Sequence, residues 1–164
     1  MNVAVQALAF HPLLGSGLAA SAVADDLSRY LLGIRADSFR TATVQLTLAE
    51  SLRQLIQIYG ECHESNWGGN DESPVRPNAI YEAANFLQLL TSTMQSPDIY
   101  PEPGGAIAFE WRFGTFKSLI ASFAGDNAIE FACVNGRAST FFGRVPFYQA
   151  VPIEILRYLK DLSN

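Results

Sequence analysis

Ile107, Phe109, Trp111 and Phe113 alternate with Ala106, Ala108, Glu110 and Arg112, and this period of two constrains the fold more than any other feature of the chain. Alternation places one set of side chains on each face of a strand, so this segment predicts a strand with one heavily apolar face. Gly114-Thr115 turns tightly into Phe116–Phe123, and Gly125-Asp126-Asn127 turns again into Ala128–Val134. Asn135-Gly136, among the strongest short hairpin signals, leads into a fourth strand over Ser139–Arg144, which Pro146 ends. Short turns can join only antiparallel neighbours, so the four segments read as a four-stranded antiparallel meander.

On either side of the meander the apolar spacing is helical. Met1–Leu14 is ambiguous, with a short alternating run at Val3, Val5, Ala7 and Ala9. A helix is expected over 17–34, carried by Val23, Leu27, Tyr30, Leu31 and Ile34. A second is expected over 42–59, carried by Leu48, Leu52, Leu55, Ile56 and Tyr59, with Gly60 near its end. Ser65–Pro77 reads as a loop. Pro77 suits the first turn of a third helix, expected over 77–94 with Ile80, Ala83, Ala84, Leu87 and Met94 inward. Pro97, Pro101 and Pro103 then block further helix, and a C-terminal helix begins near Pro152 with Ile155, Leu156, Leu159 and Leu162 on its apolar stripe. The fold class that follows is α+β: an all-helical N-terminal half, the meander packed on one face by several helices, and a C-terminal helix. At 164 residues the chain reads as a single domain, 1–164, able to bury a core without staples.

Charge and motifs narrow the chemistry. The net charge is −5, and the 11 basic residues are scattered with no two adjacent, which argues against nucleic acid and against anionic membranes. A mildly acidic surface suits a basic protein partner. Cys62, Cys133, His11 and His63 lack the clustered spacing of a zinc site, and no metal or other cofactor is expected. Two unpaired thiols in a domain of ordinary size suggest a reducing compartment. Ala4–Ala24 is apolar, but His11, Pro12, Gly15 and Gly17 interrupt it and no Lys or Arg precedes Arg29. It therefore reads as neither a secretory signal nor a membrane span, and the expected location is cytoplasmic. No G-x-S-x-G and no Gly-Lys-Ser/Thr occurs, and Gly15-x-Gly17-x-x-Ala20 has no strand before it. No catalytic constellation stands out.

The two faces of the meander differ. Ile107, Phe109, Trp111, Phe113, Leu119, Phe123, Ile129 and Phe131 call for a helix layer. Ala106, Ala108, Glu110, Arg112, Ser118, Ser122, Glu130 and Ala132 form a shallow face, either solvated or a docking surface for a partner or a second subunit. Glu110, Arg112 and Glu130 are the candidates for setting complementarity there. Glu110 and Glu130 share the face, though nothing in their sequence context suggests that either carboxylate is buried. Trp67, in the turn-rich stretch Asn66-Trp67-Gly68-Gly69-Asn70, is a candidate anchor or a plug between helix and sheet.

Asn66–Asn70, Pro74-Val75, Ala83-Ala84, Phe86-Leu87, Pro97-Asp98-Ile99 and the run Pro101-Glu102-Pro103-Gly104-Gly105-Ala106-Ile107-Ala108-Phe109-Glu110-Trp111 together resemble a family of small bacterial proteins with no established activity. Its marks are a W-D-G-x-G-A-like loop, a helix, and a P-x-P-x-G-x-(I/V)-x-(L/F)-E-W strand. Gly68 stands where that family usually has Asp, and Asp71-Glu72 where Gly-Ala is usual. The resemblance covers about 65–162 and implies that Trp67, Gly69, Gly105, Glu110 and Trp111 are framework positions. Gly105 would supply the turn before the strand, and Trp111 would pack under the helices. Residues 1–40 fall outside it, as an N-terminal embellishment. The expected function is a protein-interaction or regulatory binding module, with another protein or a second copy of the chain as partner, acting by surface occlusion or complex assembly. Two alternatives stand beside it. One is an enzyme with a non-obvious carboxylate site drawn from Glu110, Glu130, Asn66, Asp71 and His63. The other is a small-molecule sensor with a cavity lined by Phe109, Trp111, Phe123 and Phe131.

Overall fold

The structure, a computed structural model, describes residues 25–26, 28–29, 42–90, 94–137 and 139–163. The short strand weighed over 1–14 lies outside these residues. Of the helix expected over 17–34, residues 25–26 and 28–29 are described, and they are helical. The remaining elements, in chain order, are α1 (Ala42–Cys62), α2 (Pro77–Leu89), β1 (Asp98–Pro101), β2 (Ile107–Arg112), β3 (Lys117–Phe123), β4 (Ala128–Asn135), β5 (Thr140–Pro146) and α3 (Ile153–Ser163). The fold is α+β, with an antiparallel sheet in the order β1-β2-β3-β4-β5.

The sheet has five strands where the sequence predicts four. The additional one, β1, pairs with β2 in the register Asp98↔Glu110 to Pro101↔Ile107. Its prolines read as barriers to regular structure, but at a sheet edge a residue whose N–H would face outward can be proline at no cost to the ladder. Two helix ends also differ from the sequence reading. α1 runs through Gly60 to Cys62, because a lone glycine weakens a helix without stopping it when packing on both sides holds. α2 stops at Leu89, five residues short of Met94. Leu90 adopts extended backbone (φ −65°, ψ 137°) and donates its N–H to the Phe86 carbonyl, which closes the last turn and leaves the Leu90 side chain buried.

Leu52, Leu55, Ile58, Tyr59 and Cys62 line the inner side of α1, and Ala79, Ile80, Ala83, Ala84, Phe86 and Leu87 that of α2. They meet the sheet face formed by Ile99, Ile107, Phe109, Trp111, Leu119, Ala121, Phe123, Ile129 and Cys133. Phe86 is the hub, with its ring 5.1 Å from Phe123, 5.6 Å from Phe147, 6.1 Å from Phe109 and 6.2 Å from Trp111. These tilted and edge-on arrangements fill the space that a ligand cavity among Phe109, Trp111 and Phe123 would need. Phe131 lies apart from this group, tilted against Tyr158 of α3 at 5.5 Å.

Arg76, just before α2, ties the helix layer to the sheet. Its guanidinium donates to the Ala124 carbonyl at 3.1 Å and to the Gly104 carbonyl at 2.9 Å, so one side chain grips the β1–β2 and β3–β4 connections together.

Candidate functional site

With α1, α2 and α3 packed on one face, the register defines the other face as a grid. One rung reads Asp98–Glu110–Ile120–Ala132–Phe142, the next Tyr100–Ala108–Ser122–Glu130–Arg144, and a third, across β2 to β5, Arg112–Ser118–Val134–Thr140. The candidates Glu110, Arg112 and Glu130 therefore share one face, with Glu110 and Glu130 on β2 and β4 and β3 between them.

The two ends of this face differ in chemistry. At the β1–β2 end, Arg112 bonds Glu110 at 2.5 Å and reaches Asp98 at 3.7 Å. These carboxylates hold the Arg112 guanidinium above its usual range, chiefly through the Glu110 hydrogen bond. The Glu110 side chain is only 13% exposed, a shielding that the alternating pattern did not suggest. β1 sets Asp98 opposite Glu110, a neighbour that the four-strand reading lacked. Glu102 accepts a hydrogen bond from the Ser122 hydroxyl at 2.5 Å. Burial, and then the nearby Glu110 and Glu102 charges, push the Tyr100 phenol up. Ala108, in the same rung, is fully buried.

At the β3–β5 end the face is apolar. Ile120, Ala132 and Val134 are half-buried, and Phe142, beside Ala132, is 84% exposed. A shallow groove of about 490 Å³ runs here between Glu102 and Arg144, floored by Ile120, Ser122 and Ala132. Arg144 closes its rim with ion pairs to Asp126 (2.6 Å) and Glu130 (3.7 Å). Four carboxylates (Asp98, Glu102, Glu110, Glu130) and two guanidiniums (Arg112, Arg144) thus flank an apolar row that runs out to the β5 edge. A charged rim around apolar side chains is the anatomy of a protein-binding surface.

The structure does not bring Trp67 to this face. Trp67 is half-buried against the core, and its indole N–H donates to the Ser73 carbonyl at 3.0 Å. Its loop is pinned by Glu72, whose carboxylate accepts the backbone N–H groups of Gly68 (3.2 Å) and Asn70 (3.0 Å). Those bonds, with Asn70 foremost, hold the Glu72 carboxyl below the usual range. Gly69, at φ +85°, makes the turn between them. Asn66 and Asp71 both sit at φ 61°, and Asp71 donates its N–H to the Asn66 side-chain oxygen at 3.0 Å. His63 Nδ1 lies 2.9 Å from the Gly60 carbonyl. These candidates for a hidden enzyme site serve local turn geometry. Cys62 and Cys133 are buried, and burial pushes both thiols up, away from the reactive thiolate. Among the described residues no cluster of three or more metal-ligating side chains occurs, and no helix is long and apolar enough to cross a membrane.

A second concavity of about 240 Å³ lies between α2 and the β3–β4 turn, lined by Asn78, Tyr81, Glu82, Asn85, Asn127 and Tyr148 among others. Glu82 is 8% exposed and accepts the Gly125 N–H at 2.7 Å. Burial pushes its carboxyl up, against the opposing pull of backbone donors at Gly125, Asn127 and Ala128. The sequence carried a signal for it, an acidic residue on the inward side of a helix, which the stripe of Ile80, Ala83 and Leu87 overshadowed. Because its carboxyl is raised on folding, the native state holds a proton that the unfolded chain has released above the ordinary glutamate value of ~4.3. Stability attributable to Glu82 is therefore full below that value and declines as pH rises through the native pKa. Urea unfolding midpoints measured from pH 4 to pH 7 should fall less steeply in Glu82→Gln than in the wild type. An unchanged slope would show that the Glu82 carboxyl is not raised.

Ile120, Phe142, Arg144, Tyr100 and Glu102 were absent from the sequence candidates. Phe142 carried a readable signal, a large apolar residue at the position alternating with the core side of the last strand. No protein-family model, no curated protein and no solved structure matches the chain.

Proposed function

We propose that this domain is a protein-binding module that engages its partner through the open face of the sheet. The observation that carries this reading is the Ile120–Ala132–Phe142 row, which ends in an aromatic side chain 84% exposed to solvent. An apolar row framed by charge suits a partner that lays apolar side chains across β3–β5 and basic groups against Glu102, Glu110 and Glu130. The acidic excess of the face favours a basic partner surface and steers its approach. Binding on this face occludes the partner's own surface and leaves the helix layer untouched. Glu110, Arg112 and Glu130 fix orientation at the rim, while Trp67 contributes by holding the fold.

The test uses variants of the open face that lie away from β5. Quantitative affinity capture with the tagged full chain should recover a stoichiometric partner that is lost with Ile120→Lys. The charge-exchanged pair Glu110→Arg/Arg112→Glu should weaken the same complex by roughly tenfold, the equivalent of ~1.4 kcal/mol. Circular dichroism should show both variants folded. Complexes that survive both variants intact would remove this face from consideration.

A further inference from the structure

The two edges of the sheet are built differently. Just after β1, the bond from the Glu102 N–H to the Ala106 carbonyl (2.9 Å) fixes the phase of the ladder. Asp98 and Tyr100 point their backbone groups to β2, and Ile99 and Pro101 point theirs outward. Each outward position has one of its two backbone groups withdrawn from pairing: Pro101 has no N–H, and the Ile99 carbonyl is taken by the Gln54 side chain of α1 at 2.9 Å. β1 is a protected edge.

β5 has no such protection among the described residues. The Asn135 N–H to Ser139 carbonyl and Phe147 N–H to Asn127 carbonyl bonds set its phase. Phe141, Gly143 and Val145 bond inward to β4. Thr140, Phe142, Arg144 and Pro146 point their backbone groups outward, with only Pro146 lacking a donor. The edge is seven residues long, against four for β1, and two of its aromatics, Phe141 and Phe142, are exposed. A long edge with free donors and apolar side chains is a template for strand addition.

We propose that the occupant of this edge is a second copy of the chain, its β5 running antiparallel so that Phe142 faces Arg144 of the second copy. The outward phase allows only pairings of even-numbered residues with even-numbered ones. Centring the two-fold on Arg144 sets two guanidiniums together. Centring it on Phe142 sets Phe141 against Gly143, where the Phe131 ring already lies 3.0 Å from the place of a Cβ. Centring it on Gly143 leaves Phe142 beneath a guanidinium and Phe141 beside Val145. This arrangement forms about six backbone hydrogen bonds. In this register each Arg144 meets a phenyl ring instead of the other guanidinium, and Asp126 and Glu130 stand beside it, so the edge is not repelled by its copy. A two-fold of this kind stands perpendicular to the sheet. It joins two five-stranded sheets into one continuous sheet, with both open faces on the same side. The dimer takes up the Phe142 ring and leaves the Ile120–Ala132 part of each open face free.

The experiment is sedimentation of the full chain from micromolar to millimolar concentration, with three variants at position 142. The wild type should be a dimer that dissociates on dilution, and the Phe142 and Arg144 amides should exchange more slowly in the concentrated sample. Phe142→Pro removes an outward donor without touching the β4 ladder and should be monomeric. Phe142→Arg keeps every backbone donor, sets like charges across the pairing, and should raise the dissociation constant at least tenfold, whereas Phe142→Glu should remain dimeric by facing Arg144. A wild type that is monomeric throughout would overturn the proposal, whether the edge stays open or the chain's own residues cover it. A dimer indifferent to Phe142→Arg, or lost equally in Phe142→Arg and Phe142→Glu, would overturn it as well. Ile120→Lys lies off the edge and should leave the dimer intact, so failure of the open-face reading and failure of this one are separable.

Discussion

Phe86→Ala should destabilise the domain by ~3–5 kcal/mol, the usual cost of removing a fully buried aromatic ring from a core. The reason lies in its neighbours. Phe86 is completely buried, and four other rings, Phe109, Trp111, Phe123 and Phe147, pack around it at 5.1–6.2 Å. Those rings come from two strands and the segment after β5, so none can close the void without moving a strand. Trp111 is held further by its indole N–H, which donates to the Gln95 carbonyl at 2.8 Å. A loss of this size is a large share of the ~5–15 kcal/mol that a domain has in total. At ~2–4 °C per kcal/mol, the melting temperature should fall by roughly 10 °C. Leu89→Ala, on the same helix but 39% exposed, is the control and should shift it far less. Equal shifts in the two variants would show that the aromatic cluster is not the centre of the core.

Gly105→Ala should cost roughly 2–5 kcal/mol, while Gly104→Ala next to it should be within about 0.5 kcal/mol of the wild type. Gly105 sits at φ +80°, a conformation that an L side chain adopts only with strain. A Cβ there would stand 2.4 Å from the Pro74 carbonyl oxygen, which is backbone and cannot rotate away. Relieving the overlap breaks the bond from the Arg76 N–H to the Gly105 carbonyl (3.0 Å) and loosens the Arg76 grip on the two turns. Gly104 has open space around the corresponding position. Denaturant midpoints of the two variants measure the contrast directly. The effect reaches the open face, because the same turn carries Glu102 to its bond with Ser122.

The sheet was legible where local signals agreed. Alternation from Ile107 to Phe113, the Gly114, Gly125 and Gly136 turns, and the sorting of Phe109 and Trp111 from Glu110 and Arg112 all follow from a period of two, and the register repeats that sorting. β1 was hidden because proline forbids a strand only where a donor is needed, and which donors are needed depends on which neighbour exists. The end of α2 was hidden because Leu90 is apolar whether it continues a helix or folds inward beside one.

The candidate surface divides in the same way. Sequence alone determined that Glu110 and Arg112 would share a face, since parity along a strand is a local property, while the register across β3 brings Glu130 to the same face. It also placed Trp111 on the apolar face of its strand, which the structure buries. The tertiary structure decided that the Glu110 side chain is only 13% exposed and that Glu82 is a buried partner of a distant turn. It also decided that Trp67 serves the core and that Gln54 occupies the Ile99 carbonyl of one sheet edge while the other edge is uncovered among the described residues. Each of these depends on residues far apart in the chain coming within a few ångströms. A periodic pattern fixes where a side chain points along its own element and carries nothing about what stands opposite it.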